Sequence, residues 1–290
     1  MKTNSLLLLG LLTQTSAWAQ TLINDNFSNG GLTYSTPTGT SQWYTGGVSA
    51  DTFVTNNDAL TVTGLTIGGQ GGPGVVASFE PAGGELNLQV GESVQLSFNY
   101  LYATTSSTDF GLGFGFYDTN GKPLKTDGTG LNNGVFNGWT GYSAFGTTGT
   151  DTSALGRFHI AQRETTANNL LSPFTTGVLG STHQTVGLQA ETWNTATFKL
   201  TYASATSMIM TATIDGEVLS VTNKPTTTGF DSVAITDGQP INTLEISGVT
   251  VVVIPEAAPV PEPSELSLVG LGLGAFGWIC WRRQHSIDRF

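Results

Sequence analysis

Residues 93–100 read SVQLSFNY, and the alternation within this stretch decides the fold class. Val94, Leu96, Phe98 and Tyr100 fall on one side, and Ser93, Gln95, Ser97 and Asn99 on the other. A repeat of two is that of a strand with one buried face, whereas a helix would repeat its apolar positions about every 3.6 residues. The pattern recurs in WNTATFKLTY, residues 193–202, which turns Ala196, Phe198, Leu200 and Tyr202 inward. It recurs again in MIMTATIDGEVLSV, residues 208–221, which reads as two strands joined by a tight turn at Asp215-Gly216. Further strands are expected at residues 60–66, 75–79, 157–162, 232–236 and 244–253. Many short strands between Gly- and Asn-rich turns predict an all-β antiparallel sandwich rather than an α/β fold.

FGLGFGFYDTNG, residues 110–121, departs from this simple form. Phe110, Leu112, Phe114 and Phe116 make one apolar face, and Gly111, Gly113 and Gly115 leave the other bare. Glycine weakens a strand unless something approaches it closely. Either a neighbouring loop or bulky side chain packs there, or a concave face is open for a ligand.

Charged residues are 11% of the chain, well under the roughly 25% of ordinary soluble domains. Gly, Thr, Asn and Ser take their place, a composition that favours an extracellular β protein over a cytosolic enzyme. The formal net charge of −11 argues against an electrostatic grip on nucleic acid. The single cysteine, Cys280, lies in a C-terminal apolar run, so the body has no disulfide framework, thiolate nucleophile or cysteine-based metal site.

The two ends read as addresses. MKTNSLLLLGLLTQTSAWAQ carries Lys2, an apolar run from Leu6 to Leu12, and Ala17-Trp18-Ala19, the pattern of a secretory signal peptide cut before Gln20. At the far end, residues 266–281 are uncharged and would span about 24 Å as a helix, slightly short of a bilayer's apolar core. Trp278 and Trp281 suit an interfacial belt, and Arg282 and Arg283 follow as the residues that stay on the cytoplasmic side. The expected organisation is a signal peptide over 1–19, a sandwich over 20–254, a Pro-rich linker over 255–263 and a single transmembrane helix in the sorting tail, 264–290.

Pro261-Glu262-Pro263, followed by a Gly-rich apolar segment and Arg282-Arg283, resembles the PEP-CTERM sorting signal of Gram-negative bacteria. The resemblance covers about the last thirty residues. It implies a precursor held transiently in the inner membrane and handled by an exosortase-like transpeptidase, then release to the cell surface or to an extracellular polysaccharide matrix. The prolines agree with this physically, because they keep the segment extended and outside any ladder. The body, from NDNFSNG and Trp43-Tyr44 through VGESVQLSFNY, FGLGFGFYDTNG and TIDG to LEISGVTVVV, resembles the concanavalin A-like and laminin-G-like jelly roll. That resemblance implies first and last strands lying side by side. Its motifs mark strands and turns, so they specify architecture more than activity.

A search for catalytic chemistry finds little. Glucanases of that fold carry a Glu-x-Asp-x-x-Glu strand, and no such spacing exists here; two-carboxylate hydrolysis needs a matched pair. Asp215 and Glu217 flank a turn. His159 sits in the strand-like RFHIAQ, and GYSAF lacks the second glycine of a nucleophile elbow. Asp118, Asn120 and Asp127 offer oxygen ligands for calcium, or else simply build an Asn-Gly turn. NNGVFNGWTGYSAFG, residues 132–146, reads as a loop in which Trp139 and Tyr142 could stack on sugar rings while Asn132, Asn133 and Asn137 bond hydroxyls, or in which the aromatics pin the loop to the sandwich. The expected function is that of a non-catalytic, cofactor-free structural or glycan-binding component of the matrix. A glycan hydrolase and a protein-binding adhesive coat protein are the alternatives.

Overall fold

The computed structural model describes residues 19–36, 39–46, 52–56, 58–63, 74–79, 84–102, 111–127, 136–147, 158–163, 170, 177–183, 186, 191–237, 243–256, 276 and 278. The chain enters through β1 (Gln20–Asp25), β2 (Thr33–Thr36) and β3 (Gly39–Gly46), then β4 (Thr52–Asn56), β5 (Ala59–Thr63) and β6 (Gly74–Ser78). A two-residue β7 (Leu86–Asn87) precedes the long β8 (Ser93–Tyr102) and β9 (Gly111–Asp118). Next come β10 (Thr140–Thr147), β11 (Phe158–Arg163), β12 (Val178–Thr182), β13 (Asn194–Ser204), β14 (Ser207–Ile214) and β15 (Glu217–Asn223). The short β16 (Gly229–Phe230), β17 (Ser232–Asp237) and β18 (Thr243–Ile254) close the body.

Sixteen of these strands form two eight-stranded sheets, and β7 and β16 pair as a two-stranded ribbon. The first runs β15-β14-β13-β8-β18-β5-β4, with β1 also on β18, and the second runs β12-β11-β10-β9-β17-β6-β3-β2. The chain crosses repeatedly from one sheet to the other, and the pairings given by register are antiparallel, as in a jelly-roll sandwich. First and last strands are neighbours, with Gln20 opposite Val253, as the resemblance implies.

The alternating faces meet in the middle. Val94, Leu96, Phe98 and Tyr100 of β8 are buried, as are Ala196, Phe198 and Leu200 of β13. Tyr202, expected inward with them, is only half-buried, because it lies near the end of β13 where the sandwich opens. Across the sheets, Phe98 meets Phe114 edge-on at 5.3 Å, and Phe198 stacks on Phe116 at 6.1 Å. The Asp215-Gly216 turn is as expected, with φ of 48° and 82°.

Two differences from expectation are instructive. The expected strand 60–66 is β5 as far as Thr63, with residues 64–66 outside the described residues, and it pairs with β4, which the sequence does not announce. More important, residues 140–147 are no loop but β10, at the heart of the second sheet between β9 and β11. It is buried on both faces, so no apolar–polar alternation marks it.

Two buried carboxylates pin the connections. Asp25 accepts bonds from the Trp43 indole Nε1 (2.9 Å) and from the Phe27 amide (2.8 Å), tying the chain after β1 to β3. Asp231 accepts from the amide and hydroxyl of Thr119, tying β17 to the end of β9. Burial raises the pKa of both above the ordinary 3.8, partly offset by these hydrogen bonds. The fold therefore holds their protons more tightly than the unfolded chain does. That contribution is fully present below pH 3.8 and is lost as pH rises through the raised folded values. Repulsion from the net charge of −11 acts in the same sense. The thermal midpoint should thus fall as pH rises from about 4 through the raised folded values, with a shallower slope in Asp231→Asn. Scanning calorimetry across that range checks it; a midpoint that drops on acidification would mean both carboxylates stay ionised in the fold.

Residues 18–256 form one compact unit. Among the described residues no helix is long and apolar enough to cross a membrane. The expected signal peptide as far as Trp18, the segment Pro261-Glu262-Pro263 and Arg282-Arg283 lie outside the described residues, as does the expected sorting tail apart from Phe276 and Trp278, both exposed.

Candidate functional site

The glycine face of β9 is filled. Register places Gly115 beside Ser143 of β10 and Ala234 of β17, with Val76 of β6 next across and Tyr44 of β3 beyond it. On this small-residue row sits a second apolar layer of Tyr117, Leu124, Phe136, Trp139 and Leu170. A Cβ at Gly115 would stand 2.9 Å from the Tyr117 hydroxyl and 2.5 Å from the Tyr142 carbonyl oxygen. Glycine is there so that the Tyr117 side chain can lie back over its own strand, and its phenol then donates to the Leu170 carbonyl at 3.2 Å. Burial pushes that phenol's pKa up, with the Arg163 cation pulling the other way. Burial also lowers the pKa of Arg163, whose guanidinium donates to the Phe136 carbonyl at 2.8 Å and so holds this layer to β11.

The two aromatics named from the sequence, read there as sugar platforms or as packing residues, are both buried in the sandwich. Trp139 is 1% exposed, packs edge-on against Phe136 at 5.0 Å, and donates Nε1–H to the Lys122 carbonyl at 3.2 Å. Tyr142 is fully buried on the inner face of β10. A buried ring has no free face to offer a ligand. Asn137 is exposed in the turn just before Trp139, and Asn132 and Asn133 lie outside the described residues.

The remaining candidates resolve into structure too. Asp118 accepts the Asn120 amide at 2.7 Å, and Asn120 and Gly121 take positive φ of 52° and 73°, which is a tight turn. Asp127 caps a different element, accepting the Thr45 amide at 2.8 Å. Asp118 and Asp127 thus each accept a backbone amide in a different part of the fold. Among the described residues no group of three or more His, Cys, Asp or Glu is placed to hold a metal ion. His159 is buried and stacks on Phe145 at 5.4 Å, and Asp215 hydrogen-bonds the Thr195 carbonyl through its amide.

An open cleft of about 350 Å³ lies elsewhere, where the end of β13 meets the β15–β16 connection and the β7–β16 ribbon. Glu85, Asn87, Tyr202, Thr226, Thr227 and Thr228 line it. Backbone bonds lace its walls: Leu88 donates to the Thr228 carbonyl at 3.0 Å and Gly91 to the Tyr202 carbonyl at 2.7 Å. The ribbon pairs Asn87 with Gly229, whose missing Cβ leaves room for the Glu85 side chain. Tyr142 has its role here. Its hydroxyl emerges behind the cleft, accepts the Thr226 amide at 2.8 Å and bonds the Thr226 hydroxyl at 3.2 Å. The sequence named Tyr142 for contact with a ligand, and the structure makes it a residue that positions the cleft's rim.

The cleft offers hydroxyls, an amide, one carboxylate and one half-exposed phenol. A single carboxylate does not supply the acid pair of two-carboxylate glycoside hydrolysis. Hydroxyl and amide groups that both donate and accept, beside an aromatic side chain, suit a neutral polyhydroxylated ligand.

No family model and no curated protein matches the chain. Solved structures similar to it include peanut lectin with a bound nonapeptide (10% identity, TM-score 0.45, covering 82% of this chain and 97% of that one). The carbohydrate recognition domain of Emp46p, potassium-bound, is similar at 10% identity and a TM-score of 0.44, over 74% of this chain and 89% of that one. A mutant alginate lyase, Aly36B, in complex with an alginate trisaccharide is similar at 14% identity and a TM-score of 0.42, over 83% and 98%. Likenesses this loose assign no activity to this chain.

Proposed function

We propose that the chain is an exported, non-catalytic glycan-binding protein of the cell surface or extracellular matrix, and that the cleft beside Tyr202 is its binding site. The observation that carries the reading is the lining itself: Thr226, Thr227, Thr228, Asn87 and Tyr202, with backbone bonds across both walls. The low charge of the whole chain supports it, since a neutral polymer is gripped by hydroxyls and rings rather than by ions. Export and sorting rest on the signal-like start with Ala17 and Ala19, and on the PEP-CTERM resemblance of the tail, which implies handling by an exosortase-like transpeptidase. One exposed aromatic contact is worth about 0.5–1.5 kcal/mol, so a single site is weak, and many copies along a polymer raise retention through effective concentration.

Retention of the exported protein on neutral matrix polysaccharide tests this. Tyr202→Ala should weaken it roughly threefold to tenfold, on the aromatic contact energies above, with Tyr202→Phe close to the parent. Mass spectrometry of the same material should find Gln20 first and no peptide beyond about Ser264. Equal retention of the parent and Tyr202→Ala rejects the cleft, and an intact WICWRRQ end on most surface protein rejects the sorting.

A further inference from the structure

β15 is the outermost strand on one side of the first sheet, and among the described residues no strand pairs with its outer edge. The hairpin that makes it determines what that edge presents. Asp215-Gly216 is a two-residue turn with both residues at positive φ, so the flanking pair Ile214 and Glu217 is hydrogen-bonded. Bonding then alternates along the strand. Glu217, Leu219, Val221 and Asn223 direct their N–H and C=O groups to β14, and Val218, Ser220 and Thr222 direct theirs outward.

Sheet edges are usually guarded by a Lys, a Pro, a bulge or a covering element. The register of β15 on β14 runs from Met208–Asn223 to Ile214–Glu217 without a shift, and the strand contains neither Lys nor Pro. Val218 is 57% exposed at its outer face.

We propose that β15 is a self-association edge, pairing antiparallel with β15 of a second copy about a two-fold axis at Ser220 and joining the two first sheets into one. In that register Ser220 faces the partner's Ser220 and Val218 faces the partner's Thr222. All three outward-facing residues then exchange both of their backbone hydrogen bonds. Leu219, half-buried, comes opposite the partner's Val221, also half-buried, and the two cover each other. The ends match in charge. Asp215 and Glu217 stand at the start of the strand, and Lys224 follows directly on its last residue. The two-fold register sets the partner's Lys224 opposite Gly216, between those two carboxylates, and sets Glu217 opposite the partner's Asn223. A parallel partner would instead place acid on acid. A head-to-tail partner through β4, the far edge of the same sheet, would gain nothing from this self-complementarity and would grow without closing.

Cysteine crosslinking of the full chain in a Cys280→Ser background tests the register. Two Ser220 Cα atoms in a hydrogen-bonded pair lie about 5.5 Å apart, within disulfide range. Ser220→Cys should therefore convert largely to a disulfide dimer on mild oxidation. Thr222→Cys should not, because its counterpart lies opposite Val218. By light scattering the parent chain should be a dimer at tens of micromolar, and Val218→Lys with Thr222→Lys should be a monomer that still melts cooperatively, its midpoint lower only by the lost association and independent of concentration. The proposal is overturned by a parent that stays monomeric, by equal crosslinking at 220 and 222, by a doubly Lys-substituted chain that still dimerises, or by open-ended polymers that lengthen with concentration.

Discussion

Phe98→Ala and Phe198→Ala are each expected to destabilise the sandwich by about 3–5 kcal/mol, the range for emptying an aromatic core site. Both rings are buried between the sheets, 2% and 0% exposed, and they reach the same partner from adjacent strands. Phe98 meets Phe114 at 5.3 Å and Phe198 meets it at 6.1 Å, so Phe114 of β9 is held by two rings of the opposite sheet. Phe198 also stacks on Phe116, which makes it the more connected of the two. At about 2–4 °C per kcal/mol for a domain of this size, each variant should lose roughly 6–20 °C in thermal midpoint. Because the two share Phe114, the double variant should lose less than the sum. Losses below about 1 kcal/mol at both sites would place these rings outside the core, against the range for buried aromatics.

The same residues explain why the fold was legible. β8 and β13 each bury one face and leave the other to solvent, so sequence alternation reports their burial directly. The turn at Asp215-Gly216 carries its own chemistry, since Gly and Asp tolerate positive φ. β10 had no such signature. With Tyr142 facing the core and Ser143 and Phe145 facing the second layer, it is buried on both sides, and its glycines read as loop punctuation. The cleft was less legible still. Glu85 and Asn87, Tyr202, and Thr226 to Thr228 come from three distant parts of the chain, and each segment alone is an ordinary polar connection. The Asn87–Gly229 ribbon and the bonds that lace Leu88 to Thr228 and Gly91 to Tyr202 bring them together. Tyr142 shows the limit of reading residue types: an aromatic in a Gly- and Asn-rich stretch suits a sugar platform and a core strand equally well, and register decides between them.

Trp139→Ala gives the sharpest separation of those two roles. An exposed stacking ring would leave the thermal midpoint unchanged when removed and would abolish retention on polysaccharide. The burial of Trp139 predicts the reverse. Its indole is enclosed by Phe136, Tyr117 and the β9 face, and its N–H satisfies the Lys122 carbonyl. Removing it opens a cavity in the layer that covers Gly115 and leaves that carbonyl without its indole partner. A loss of about 3–5 kcal/mol is expected for the cavity, with a further contribution of about 1 kcal/mol where the carbonyl stays out of reach of water. Trp139→Phe should recover most of the packing and lose chiefly the hydrogen bond. Asn137→Ala, two residues away but exposed, should be nearly silent in stability. Retention, measured well below the lowered midpoint so that the variant is folded, should match the parent, because the cleft at Tyr202 is built from other segments. A Trp139→Ala protein with the parent's midpoint and no retention would return the sugar site to this loop.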